Sequence, residues 1–147
     1  MIRKSAGGDM EEILAIWLEA SIKAHDFIDA GFWKSQVDNM REIYLPAAET
    51  YVYESDAGIA GFCCLAGDTL AAIFVSPASQ GRGIGKALLN HAKTLRRQLC
   101  LSVYKENTAS FNFYLSQGFI VAGEQTDEHT GHPEYIMKTG ELAGGIG

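Results

Sequence analysis

Acidic side chains are missing altogether between Gln80 and Gln98 of this 147-residue chain, although the chain as a whole carries a net charge of −6. That overall acidity excludes a general nucleic-acid binder and an anionic-membrane binder, both of which need a basic surface. No apolar run is long enough to span a bilayer. The N-terminus lacks a cationic segment followed by an apolar one, so no secretory leader is expected and the expected location is cytoplasmic. Internal repeats and long linkers are also lacking. With 47% apolar residues in a chain of this length, one core is expected, a single domain over residues 1–140 followed by a flexible glycine-rich tail at 141–147.

Cysteine is scarce and odd in number: Cys63, Cys64 and Cys100. All three fall in runs that read as strands, where buried reduced thiols are expected, with the adjacent Cys63 and Cys64 facing opposite sides of one strand. No base stands visibly beside any of them, which argues against a catalytic thiol. The Glu128-His129-x-x-His132 cluster lies in a Gly/Pro loop without further clear ligands. No metal is expected.

What is present is Gln80-Gly81-Arg82-Gly83-Ile84-Gly85, directly after the apolar run Leu70–Val75 and directly before the helical pattern Lys86–Lys93. A strand that passes through a glycine-rich turn into a helix presents backbone N–H groups and the positive end of the helix dipole at one point, which is where a phosphate binds. The spacing excludes a Walker A loop, because Gln80 and Ala87 stand where that loop needs glycine and Ser or Thr. It excludes the dinucleotide fingerprint too, because Lys86 stands where the third glycine would be. Arg82, Lys86, Lys93, Arg96 and Arg97 add a local basic field; Arg96 and Arg97 suit a helix C-terminus, so only Arg82 and Lys86 are assigned to a ligand.

The remaining pattern, Q-x-x-G-x-G, resembles the acyl-CoA pyrophosphate loop of the GNAT superfamily of N-acetyltransferases. A second match lies downstream, where Asn107, Ser110, Phe113, Tyr114, Gly118 and Phe119 resemble the other signature region of that superfamily. Together the two cover residues 70–119. The resemblance implies an acetyl-CoA-dependent N-acetyltransferase with a primary amine acceptor, either a protein or peptide lysine or a small amine, acting by direct transfer in a ternary complex. It implies a monomer or homodimer without nucleic acid or membrane partners. Two other readings stay open: an enzyme that acetylates an exogenous amine in resistance or detoxification, and a non-catalytic acyl-CoA sensor.

The resemblance also distributes roles. Gln80, Gly81, Arg82, Gly83, Gly85 and Lys86 would hold the pyrophosphate of acetyl-CoA. Phe74 and Val75 would bond the pantetheine arm through their backbone, and the N–H of one of them would serve the oxyanion. Asn107 would contact pantetheine, and Tyr114 would be the general acid that protonates the departing thiolate. Asn107 and Tyr114 are seven residues apart, so a helix places them on nearly one face. Ser102 stands where several relatives carry a glutamate base; a water relay or one of His25, Asp26, Asp68 and Glu54 would take that part. His25, Asp26 and Phe27 resemble a His-Asp/Pro-Phe segment of small bacterial GNAT proteins, some regarded as protein lysine acetyltransferases, and are expected at the acceptor. Asp26 also suits a helix cap, with Phe27 and Ile28 anchored in the core.

The expected fold is α/β (α+β), a mixed sheet of about seven strands with helices on both faces and two parallel strands splayed to hold acyl-CoA. The pattern predicts strands at Ile2–Lys4, Thr50–Glu54, Ile59–Leu65, Thr69–Val75, Leu99–Tyr104, Phe119–Gly123 and Glu134–Lys138. Helices are predicted from Asp9 as N-cap through Ile13, Leu14, Trp17 and Leu18, from Trp33 to a stop before Pro46, after Gly85, and from Thr108.

Overall fold

The computed structural model describes residues 1–139; the expected tail lies outside the described residues. Seven strands form one sheet in the order β1-β2-β3-β4-β5-β7-β6. They are β1 (Ile2–Lys4), β2 (Glu49–Ser55), β3 (Gly58–Ala66), β4 (Thr69–Val75), β5 (Cys100–Tyr104), β6 (Phe119–Thr126) and β7 (Pro133–Thr139). Every neighbouring pair is antiparallel except β4 and β5. A parallel pair needs a crossover, here supplied by helix α5 (Ile84–Leu95).

Helix α1 (Met10–Ala24) covers one face of the sheet, burying Leu14 and Trp17 against Val52, Phe62 and Cys64. Helix α5 covers the other, where Ile84, Leu88, Leu89 and Ala92 recur at helical spacing and pack on Cys63, Leu65 and Leu101. Helix α6 (Thr108–Ser116) lies on that same side, with Phe111, Phe113 and Tyr114 against the core. Cys63 and Cys64 therefore face opposite cores, as the alternation of a strand requires. Burial raises their thiols to about 12 and about 11, which keeps both protonated.

Two local expectations are corrected. Asp9 does not cap α1 with its side chain; its carboxylate instead accepts from the Ala6 N–H at 2.7 Å and from two Arg3 nitrogens at 2.8 and 3.0 Å. The guanidinium outcompetes a cap because it offers two charge-assisted bonds at once. The second helix is not one element that stops before Pro46. It comprises α2 (Ala30–Ser35), α3 (Val37–Asn39), a π turn (Met40–Tyr44) and α4 (Leu45–Ala47), and the chain becomes extended only at Ala48. The π turn widens the coil ahead of Pro46, so the ring and its missing N–H are accommodated inside the last turn.

The Arg3–Asp9 contact predicts an acid transition. Arg3 lowers the Asp9 carboxyl to about 2, so this contribution to stability is complete above the ordinary aspartate value near 4 and is lost as pH falls through about 2. Thermal melts between those pH values should fall for the wild type and flatten for Asp9→Asn. Equal slopes would show that the pair does not stabilise the fold.

Gly61 on β3 predicts a second effect. A Cβ there would sit 2.9 Å from the Phe74 carbonyl oxygen and 3.2 Å from both Ile84 Cγ2 and Leu88 Cδ1. Since backbone and a packed helix must both give way, Gly61→Ala should lower the free energy of unfolding by about 1–3 kcal/mol. Urea melts within about 0.3 kcal/mol of wild type would refute the close approach.

Candidate active site

The site begins where the sheet fails to close. Strands β4 and β5 are paired only at Thr69 and Cys100, next to a Cys100 N–H to Asp68 C=O bond of 3.0 Å. Beyond that point they separate, and residues of both strands line a cavity of about 350 Å³. The antiparallel ladder with β3 decides which groups of β4 turn into the gap. Ser76 N–H bonds to Ala60 C=O at 2.8 Å, and Phe74 pairs with Phe62 two residues earlier. Alternation then directs the backbone groups of Ile73 and Val75 away from β3 and toward the gap. This corrects half of an expectation: Phe74 turns its backbone to β3, so of Phe74 and Val75 only Val75 has its N–H toward the gap.

At the end of β4 a larger cavity opens, about 660 Å³, lined by Ile73, Phe74, Val75, Gln80, Gly81, Gly83, Ile84, Gly85 and Lys86 on one side. Asn107, Ser110, Phe113 and Tyr114 line the other. Gly81 and Gly83 have φ of +83° and +81°, a conformation that side chains resist, so glycine is required at both for the loop to turn. Gly83 caps α5 without any side-chain bond, which leaves the N–H groups of the first helical turn free of intrahelical partners. Backbone donors exposed in this way suit an anion. Gly85 is helical, and a Cβ there would make ordinary contact with Val75 Cγ2 at 3.6 Å and Phe113 Cζ at 3.8 Å.

The side chains at this mouth divide. Gln80 lines the cavity and its Nε2 donates to the Val75 carbonyl at 3.2 Å, tying the loop to the strand end. Lys86 lines it as well, joined by Lys23 of α1, which the sequence reading did not single out. Arg82, expected among the ligand contacts, is exposed and does not line the cavity. Arg96 binds Glu49 at 2.9 Å and the Gly67 carbonyl at 2.8 Å, a structural role.

The two cavities share Ile73, Phe74, Asn107, Ser110 and Tyr114. Tyr114 thus stands at their junction, and burial raises its hydroxyl well above the ordinary tyrosine value, which keeps the proton in place. Asn107 combines two duties. Its Oδ1 caps α6 by accepting from Ser110 N–H at 3.2 Å, and its Nδ2 lies 3.2 Å from His25 Nε2. Because Oδ1 is occupied by a donor, Nδ2 is the amide end, and His25 Nε2 must accept. The imidazole is then neutral, consistent with burial lowering it to about 4.

His25 lines the smaller cavity; Phe27, expected at the acceptor, lines neither cavity and packs beside His25, with ring centroids 5.6 Å from Tyr104 and 5.2 Å from His132. Trp33 and Trp17 complete that side. Asp26 is exposed and lines neither cavity, and the cap of α2 is Asp29, whose Oδ2 accepts from Gly31 N–H at 3.0 Å. Among the proposed bases, Asp68 and Glu54 line neither cavity, Glu54 being ion-paired with Arg3 at 3.0 Å. His25 has its lone pair occupied by Asn107.

The sequence reading missed Glu134. It lines the smaller cavity with Ser102, is half-buried, and pairs across the sheet with Tyr104. Burial pushes its carboxyl upward, the Gln125 amide pulls it partly back, and the charge of Asp127 adds to the rise. Among the described residues no three His, Cys, Asp or Glu side chains form a metal-holding group.

A sheet opened between two parallel strands, with a free helix N-terminus at one mouth and an aromatic, carboxylate-bearing cavity at the other, is the layout of an acyl-transfer enzyme. The family profile described as "Acetyltransferase (GNAT) domain" matches residues 46–121. The chain is 37% identical over 138 residues to the peptidyl-lysine N-acetyltransferase YiaC of Escherichia coli K12, covering 93% of this chain and 94% of that protein. Among solved structures, apo YjaB of Escherichia coli superposes with a TM-score of 0.83 at 30% identity, covering 94% and 95% of the two chains. The PaiA N-acetyltransferase of Thermoplasma acidophilum, solved with coenzyme A, shares the fold at a TM-score of 0.80 and 21% identity, covering 95% and 97%. The chain belongs to the GNAT family of N-acetyltransferases.

Proposed function

We propose that this enzyme transfers an acetyl group from acetyl-CoA to the side-chain amine of lysine in a protein or peptide, directly and within a ternary complex. The observation that carries the proposal is the junction of two cavities at Tyr114. The larger cavity fits the donor: its backbone anion site suits a pyrophosphate, and the β4–β5 gap suits an extended pantetheine arm with amide groups to satisfy. The solved PaiA complex with coenzyme A, in a protein of this fold, supports that assignment. Gly81, Gly83, Gly85, Gln80 and Lys86 are assigned to the pyrophosphate, Val75 to pantetheine and the oxyanion, and Asn107 to positioning both the α6 start and His25.

The acceptor enters from the smaller cavity, where His25, Trp17 and Trp33 offer apolar walls to a lysine stem and Glu134 offers a carboxylate to its ammonium. Curated relatives named peptidyl-lysine N-acetyltransferases support this acceptor class. The neutral amine attacks the thioester carbon, the C–S bond breaks, and Tyr114 gives its proton to the thiolate. The second amine proton returns to Tyr114. No covalent acetyl-enzyme is required, and the protonated, buried Cys63 and Cys64 are unsuited to form one.

Initial rates with acetyl-CoA and a lysine peptide both varied should give intersecting double-reciprocal lines. Parallel lines, with an acetylated protein isolated in the absence of acceptor, would contradict direct transfer.

A further inference from the structure

Resting on the acetyl-transfer reading, we infer that Glu134, at the start of β7, is the general base that takes the ammonium proton of the acceptor, in place of the absent carboxylate at position 102.

The geometry that carries this is a shared amide. Gln125 Nε2 donates to Glu134 Oε1 at 2.9 Å and to Ser102 Oγ at 3.2 Å, so the carboxylate and the serine hydroxyl meet at one nitrogen. Glu134 belongs to a neighbouring strand, yet the β5–β7 register sets it opposite Tyr104 while Ser102 is opposite Ile136, so Ser102, Tyr104 and Glu134 fall on one face. That face lines the smaller cavity together with Tyr114. Gln125 is held in turn by pairing with Glu134 across β6 and β7. One carboxylate oxygen is engaged by the amide, which orients the group and leaves the other free to accept.

The remaining carboxylates do not compete. Asp127 accepts from the Tyr104 hydroxyl, and Glu106 lies 2.9 Å from His132 Nδ1. The groups facing Glu134 are therefore Gln125 on β6, Asp127 after it, and Tyr104 on β5, with His132 packed beyond the Tyr104 ring at 6.4 Å. A carboxyl raised by burial is a better match to an amine than an ordinary one, and an ammonium entering an apolar cavity loses its proton more readily. The proton passes from nitrogen to Glu134, the freed lone pair forms the C–N bond, and Glu134 later returns the proton to solvent.

The test measures kcat, kcat/KM and acetyl-CoA affinity for wild type, Glu134→Gln and the double variant Ser102→Glu/Glu134→Gln, across pH, with a lysine peptide. Glu134→Gln keeps size and the Gln125 contact. It should lower kcat by about 30-fold or more, in the lower range for a lost base, with acetyl-CoA binding changed by less than about twofold. The acidic limb of the wild-type profile, in which rate rises with pH, should disappear. The double variant should regain about tenfold, because a carboxylate at 102 reaches the same cavity. Wild-type turnover with Glu134→Gln within about threefold of it, or with the acidic limb intact in the variant, overturns the inference alone. A wild type that binds acetyl-CoA but acetylates no amine overturns the acetyl-transfer reading, and this one with it.

Discussion

Replacing Tyr114 with phenylalanine is expected to lower kcat by about 100-fold, the lower end for a lost general acid, while acetyl-CoA binds as before. The figure is held down by the leaving group: a thiol of ordinary pKa near 8.5 departs as thiolate without full protonation in the transition state. The fold should be unaffected, because the ring keeps its packing on the core and only the hydroxyl is lost. Burial raises the hydroxyl, so the acid form persists to pH well above that of an ordinary tyrosine. The wild-type profile should therefore show no basic fall attributable to Tyr114 below about pH 10. A variant that turns over at the wild-type rate, with unchanged melting temperature, would remove Tyr114 from the chemistry.

The largest effect on donor affinity is expected at Gly83. A Cβ there meets nothing within 4 Å, so any consequence comes from the backbone and not from a clash. At φ +81° a β-branched residue is strained by about 1–2 kcal/mol, and the loop can relieve the strain only by turning away from the geometry that aims the first N–H groups of α5 at one point. Hydrogen bonds from such groups to a charged phosphate contribute about 1.5–3 kcal/mol each. Gly83→Val should thus weaken acetyl-CoA by about 100-fold while kcat at saturating donor falls far less. Calorimetric titration with CoA decides it; an unchanged Kd would place the pyrophosphate elsewhere.

Much of this architecture was legible in the chain. The glycine loop between an apolar run and a helical pattern was legible as a tight turn into a helix, and two of its glycines have positive φ. The seven-residue spacing of Asn107 and Tyr114 placed both on the cavity side of α6. The separation of β4 and β5 followed from the family resemblance and is visible as pairing confined to Thr69 and Cys100.

What escaped reading depended on long-range partners. Asp9 looks like a cap until Arg3 is seen beside it. Arg82 sits within the loop, yet it is exposed and does not line the cavity. Glu134 was hidden by register: β6 carries an irregularity between Val121 and Gly123, and only beyond it does Gln125 come opposite Glu134. A one-residue slip there would reverse every side chain, and no local pattern records it.

The central claim is that a lysine side chain is acetylated at the junction marked by Tyr114. It is tested most directly by CoA release from acetyl-CoA in the presence of a lysine peptide whose α-amine is blocked, against the same peptide with its lysine already acetylated, followed by mass spectrometry of the peptide. Release with the free lysine alone, with one acetyl group on that side chain, is the predicted result. Equal release with both peptides, or none with either while small amines are acetylated, would contradict it.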